Sequence, residues 1–129
     1  MISHDFTFKK AEKLKSRKLI ASIFKEGKSF SHFPFRVVYL FPEKNTSYLQ
    51  VGFSVSIKNF KKATDRNKIK RLMREAYRLQ KLPLTKELTE KEIFMTLFVL
   101  YTGNEIPSYE NVFEKMETLL LRLQKMVSS

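Results

Sequence analysis

The sequence predicts an α+β fold: a two-layer α/β sandwich of helices on a small mixed sheet, in the order α-β-β-(β)-α-β-α. Three observations carry this. Residues 65–78, DRNKIKRLMREAYR, repeat apolar side chains at helical spacing. Residues 48–57, YLQVGFSVSI, alternate with a period of two. Residues 93–101, IFMTLFVLY, are almost continuously apolar, as in a central strand covered on both faces. A length of 129 residues with 43% hydrophobic content suits one domain, 1–129, around one core.

Residues 1–15 form a basic arm, with Phe6, Phe8 and Leu14 placed to clip it to the body. Clustered charge is hard to bury, which predicts partial disorder of the arm when free. Ser16 reads as an N-cap, and Leu19, Ile20, Ile23 and Phe24 make an apolar stripe, so the first helix spans 16–26 and stops at Gly27. KSFSHFP reads as a loop. Residues 35–41, FRVVYLF, are β-branched and aromatic and form a strand that Pro42 ends.

In the alternating strand, Leu49, Val51, Phe53, Val55 and Ile57 share one face. Tyr48, Gln50, Gly52, Ser54 and Ser56 share the other, a small polar face for solvent or for a closely packed partner, since Gly52 lets a backbone approach. KNFKK is a basic loop into the central helix, which Thr64 or Asp65 can cap. Pro83 breaks the chain, and residues 84–92 are irregular or a single helical turn. Val112, Phe113, Met116, Leu119, Leu120, Leu123 and Val127 give a closing helix over 109–126.

The central helix has two sides. Ile69, Leu72, Met73 and Ala76 form its apolar face, while Arg66, Lys70, Arg71, Arg74 and Arg78 gather opposite with Asn67 among them. Arg66, Lys68, Lys70 and Arg71 crowd the first turns, where the helix dipole is already positive and each cation costs on the order of 0.3–1 kcal/mol. A polyanion at this end removes that cost, because helix N-termini and basic side chains both bind phosphate. The net charge of +12 is concentrated accordingly. Residues 58–78 carry nine Lys/Arg against two acids, and residues 1–28 carry eight against three, whereas residues 79–129 hold six against seven. Such a localised field points to nucleic acid, with an anionic membrane surface as the competitor.

Other chemistry finds little support. No apolar run reaches 18 residues, and the N-terminal stretch has no signal-peptide core, so cytoplasm is the expected compartment. The absence of cysteine excludes disulfides and thiolate catalysis. His4 and His32 fall in segments expected to be loose and exposed. Three scattered glycines make no phosphate loop, and no Cys/His cluster offers zinc, so neither a catalytic residue nor a protein metal site is expected.

The stretch GFSVS, then a basic loop, then DRNKIKRLMREAYR resembles the protein subunit of bacterial ribonuclease P, whose family carries a Gly-x-Ser-Val-Ser strand followed by an Arg-Asn-Arg helix. FTFKKAEKLKSRKLIASIFKEGKSF is similar to the family's opening helix and its Gly-ended exit. The resemblance covers residues 6–80, and the C-terminal strand and helix match in type and order. Three positions depart from the family pattern. Lys68 replaces the third arginine of the triplet, Lys61-Lys62-Ala63 stands for Gly-Asn-Ala with one residue inserted, and Ile20 stands where an aromatic is common while Phe24 retains one.

The resemblance implies the following. A catalytic RNA performs magnesium-dependent hydrolysis that removes the 5′ leader of precursor tRNA, and the Mg2+ belongs to that RNA. The protein is the non-catalytic subunit, a monomer in a 1:1 complex with ribonuclease P RNA, with no membrane or small-molecule ligand. RNA contacts are expected at Lys58, Lys61, Lys62, Arg66, Asn67, Lys68, Lys70, Arg71, Arg74 and Arg78, and a leader cleft at Ile20, Phe24, Ser54 and Ser56. A left-handed crossover around the basic helix, rare among such connections, is also implied. The alternative is a general RNA- or ribosome-binding basic protein, which accounts for the charge but not for the motif.

Overall fold

The computed structural model describes Phe8 and residues 10–128. A 3₁₀ turn (Lys10–Glu12) leads to α1 (Arg17–Glu26), β1 (Lys28–His32), β2 (Phe35–Leu40), β3 (Leu49–Val55), α2 (Ala63–Gln80), α3 (Leu82–Lys91), β4 (Met95–Tyr101) and α4 (Tyr109–Ser128). The four strands form one mixed sheet in the order β1-β2-β4-β3. β2 is antiparallel to both β1 and β4, whereas β3 runs parallel to β4, with Gly52 opposite Phe98 and Ser54 opposite Leu100. The α+β class and the element order expected from the sequence are therefore present, with the third strand before the basic helix formed and one helix, α3, added.

Alternation decides which face each strand residue serves. Phe35, Val37, Leu49, Val51, Val55, Leu97 and Val99 pack with Ile69, Met73, Ala76 and Tyr77 of α2 and with Met116, Leu119 and Leu123 of α4, all buried in one cluster. α3 adds Leu84 and Leu88 to it. Ile23 of α1, Leu14 and Val38 are buried outside that cluster, because α1 lies across the other sheet face. There Phe24 sets its ring edge-on to Phe98 at 5.2 Å.

The N-terminal segment is tied down at its inner end. Leu14 N–H donates to Val51 O at 2.9 Å, and Lys13 bridges Val51 in parallel along the free edge of β3. Glu12 pairs with Lys81, which is only 3% exposed, so the segment is anchored beyond the end of α2. A Cβ on Gly52 would stand 3.1 Å from Leu14 O and from the Phe98 ring, so the close partner of the small face is this segment. Phe8 closes an aromatic group with Phe53 and Tyr77, its ring centroid 5.5 Å from that of Tyr77. The expectations for Phe6 and His4 fall on residues outside those described, as does most of the predicted flexible arm.

Five local expectations are corrected. The stretch read as a loop after Gly27 contains β1, an edge strand whose Ser29 and Ser31 face solvent while Phe30 and His32 turn inward. Residues 84–92 are not irregular: α3 is a full helix, and Pro83 sits in its first turn, where a missing N–H has no intrahelical partner to lose. α2 begins at Ala63 with Lys62 at the N-cap and no side-chain cap, so neither Thr64 nor Asp65 takes that role. Ile57 lies beyond the end of β3 in a turn and is 68% exposed, so it does not continue the inward face. His32 is not in a loose segment: its Nε2 lies 2.9 Å from Thr118 Oγ1, joining β1 to α4.

Two outcomes test this packing. Leu97→Ala, on the central strand and without solvent exposure, is expected to lower unfolding free energy by about 2–5 kcal/mol in urea titration. His32 has its pKa held below the usual value by burial and then by Arg122 and Lys115. The unfolded chain therefore binds a proton that the native state resists, and stability falls as pH drops below about 6.5. Melting curves between pH 7.5 and 5 should show a smaller loss for His32→Gln than for the wild type; equal losses would contradict the assignment.

Candidate nucleic-acid interface

The cationic face of α2 follows from its amphipathic pattern, since burying Ile69, Met73, Ala76 and Tyr77 turns the opposite side outward. Asn67, Lys68, Arg71 and Arg74 are exposed along it, with Arg66, Lys70 and Arg78 half-buried. Lys58, Lys61 and Lys62 are exposed in the connection that feeds the helix. The structure thus brings all ten expected contact residues onto one helix and its entry.

These side chains are not equivalent. Arg66 turns back, its Nη1 donating to Phe60 O at 2.7 Å and Lys61 O at 2.9 Å. This contact fixes the entry loop in the absence of a side-chain N-cap. Arg78 grips Glu75 through Nε and Nη2, and that bond holds the Glu75 carboxyl below the usual carboxylate range. Lys68, Lys70, Arg71 and Arg74 make no ion pair among the described residues. Unneutralised positive charge is therefore densest over the first three turns of α2. Lys13, carried on the N-terminal segment, adds to it across a shallow hollow of about 220 Å³ lined with Phe8, Arg71, Arg74, Glu75 and Arg78.

The second candidate feature lies on the other sheet face. Paired residues of neighbouring strands share a side, so Gly52, Ser54, Phe98 and Leu100 face α1 together. Phe24 is 53% exposed although its ring edge meets Phe98, so one side of an aromatic pair is open to solvent. Ile20 is half-buried one turn earlier on α1, and Ser54 and Ser56 are half-buried at the end of β3. Phe98, Leu100 and Lys13 were not among the site residues read from the sequence. The apolar run of β4 hides which of its residues face the cleft, and nothing local shows that Lys13 reaches the edge of β3.

Both features border β3, the strip on the α2 side and the cleft on the α1 side. A small basic α+β protein with a cationic helix on one side of a strand and a half-exposed aromatic ring on the other has the make-up of a nucleic-acid-binding protein. A family model for ribonuclease P matches residues 8–124. The ribonuclease P protein component of Porphyromonas gingivalis is 39% identical over 125 residues, spanning 96% of this chain and 91% of its own length. That of Chlorobium phaeobacteroides is 35% identical over 131 residues, spanning 91% and 88%. The solved ribonuclease P protein of Thermotoga maritima aligns at a TM-score of 0.64 and 30% identity, over 86% of this chain and 96% of that one. The Staphylococcus aureus protein shares the fold, at 0.67 and 24% identity over 90% and 97%. The chain belongs to the ribonuclease P protein family. It is a protein component of that endoribonuclease complex, with RNA binding and tRNA 5′ processing as its role. Such components function with the ribonuclease P RNA.

Proposed function

We propose that α2 docks the chain on the ribonuclease P RNA while the cleft between α1 and the sheet holds the 5′ leader of precursor tRNA. The hydrolysis itself is carried by the RNA. The observation that supports this reading is the placement of strip and cleft on opposite sides of a single strand, β3. A folded RNA lying along α2 then leaves the cleft clear for a single strand. Lys68, Lys70, Arg71 and Arg74 supply phosphate contacts, with Lys58, Lys61 and Lys62 extending them past the helix start and Asn67 offering a neutral donor and acceptor. Arg66 has donors beyond its two bonds to Phe60 O and Lys61 O, since a guanidinium carries five.

In the cleft, Phe24 offers a face on which a base stacks, worth about 1–3 kcal/mol, and Ser54 and Ser56 offer hydroxyls to the backbone. Ile20 gives an apolar wall without an aromatic face. The complex is one protein to one RNA in the cytoplasm, acting on precursor tRNA. Mg2+ is assigned to the RNA, as the family resemblance implies. Among the described residues no three His, Asp or Glu side chains gather, and Glu75 and Glu12 are engaged by Arg78 and Lys81.

The direct test is cleavage of 5′-labelled precursor tRNA by ribonuclease P RNA at low Mg2+, with and without the protein. Stimulation is expected with both components and no cleavage by protein alone; cleavage by protein alone would overturn the division of labour. Alanine at Lys70, Arg71 and Arg74 is expected to weaken RNA binding and to flatten its dependence on log salt by about 0.7–0.9 per lost contact. Slopes equal to the wild type would remove these residues from the interface. Phe24→Ala should instead reduce the preference for tRNA bearing a leader over tRNA without one, at nearly unchanged affinity for the ribonuclease P RNA. Undiminished preference would take Phe24 out of the leader cleft.

A further inference from the structure

We propose that the flank of α4 beside the β1 edge is a second contact for the backbone of the ribonuclease P RNA, with Lys115, Arg122 and Lys125 as its phosphate-binding groups. The inference rests on the RNA partnership described above and adds a surface remote from α2.

Lys115, Thr118, Arg122 and Lys125 follow one another on a single flank of α4, over about 15 Å of helix at 1.5 Å per residue. The C-terminal stretch 79–129 has more acids than cations, so this grouping does not reflect a generally basic region. Glu110, Glu114 and Glu117 lie on the adjoining flank, and the two signs are sorted along the helix rather than paired across it. None of the three cations forms an ion pair among the described residues.

Arg122 is held in place without being neutralised. Its guanidinium lies 4.0 Å from the centroid of the Phe30 ring, and one Nη1–H donates to Ser31 O at 3.2 Å. Both partners come from β1, so the edge strand orients the fork while leaving its remaining donors without an acceptor among the described residues. An arginine stacked on a ring with free N–H groups is suited to bidentate phosphate binding. His32, bonded to Thr118, stands close enough to Arg122 and Lys115 that both push its pKa down. The positive charge is therefore dense where β1 meets α4. Beside it runs an open groove of about 540 Å³, lined by Thr118, Leu121, Arg122, Lys125 and Met126.

The placement favours the ribonuclease P RNA over the tRNA leader. α4 packs beside α2 in the same layer, where Gln80 Nε2 reaches Phe113 O at 3.0 Å. An RNA lying on that layer meets both helices. The leader cleft is on the other sheet face, with α1.

The chain has no cysteine, so single cysteines can carry a tethered iron chelate that cuts nearby RNA. Leu121→Cys in the groove and Thr64→Cys at the start of α2 would be compared in the complex with ribonuclease P RNA. Cuts from Leu121→Cys at positions distinct from those of Thr64→Cys are expected. Cuts from Thr64→Cys alone would overturn this proposal and leave the α2 reading intact; silence at Thr64→Cys with cuts at Leu121→Cys would do the reverse for α2 while supporting the α4 contact. A Lys115→Gln, Lys125→Gln double variant should also lower the salt slope by about 1.4–1.8, two contacts at 0.7–0.9 each. A slope and affinity equal to the wild type would exclude RNA here and point to an acidic protein partner.

Discussion

A parallel strand pair cannot be closed by a hairpin, and the pairing of β3 with β4 is the constraint on which the rest of this molecule depends. The chain must leave the end of β3, cross the sheet and re-enter beside it in the same direction. α2 and α3 make that crossing, and α2 buries Ile69, Met73 and Tyr77 against the face carrying Val51 and Val55. The helix with the densest charge is thereby laid next to an edge strand. The same strand presents Gly52 and Ser54 to the opposite face, where α1 stands. One strand thus carries both the Gly52 and Ser54 face opposite α1 and the seat of the basic helix.

The electrostatics of α2 make sense only with this geometry. Cations over its first turns oppose the helix dipole, and no side chain caps its start. The fold compensates locally: Arg66 ties the carbonyls of Phe60 and Lys61, and the buried face supplies the helix with tertiary packing. Compensation stops short of neutralisation, since Lys68, Lys70, Arg71 and Arg74 have no acidic partners among the described residues. At the far end the balance differs, with Arg78 held by Glu75 and Lys81 by Glu12. The helix is electrostatically complete at its C-terminal end and open at its N-terminal end, as expected of a surface that receives an anion.

How much of this the sequence displays depends on whether the determining contacts are local. α2, β3, β4 and α4 are legible because their periodicity reflects burial against a large core, and Ser16 and Gly27 mark α1 through cap chemistry that acts within a few residues. β1 is not legible, because KSFSH is held by pairing with β2 and by contacts from α4 on Phe30, Ser31 and His32 some 90 residues away. α3 is obscured by Pro83, whose meaning reverses between a helix interior and a first turn. The basic strip is visible as a helical face, whereas Phe98 and Leu100 are concealed within a run that is apolar throughout. Lys13 needs knowledge of where the N-terminal segment docks.

The distribution of charge over the two helices also bears on how such a protein engages a folded RNA. A single cationic strip fixes position along one line but leaves rotation about that line weakly determined. A second set of cations on α4, in the same layer and oriented by the opposite edge strand, would remove that freedom. Arg122 is the residue through which this would act, because Phe30 and Ser31 set its plane before any ligand arrives. Ordering a long basic side chain in the free protein reduces the entropy lost on binding, so a stacked arginine is worth more at an interface than a solvated lysine of equal charge. With orientation fixed by two helices, the proposed cleft on the opposite face would point in one direction relative to the RNA. On the proposed reading, that is the geometric condition under which a leader held there would meet a cleavage site carried by the RNA.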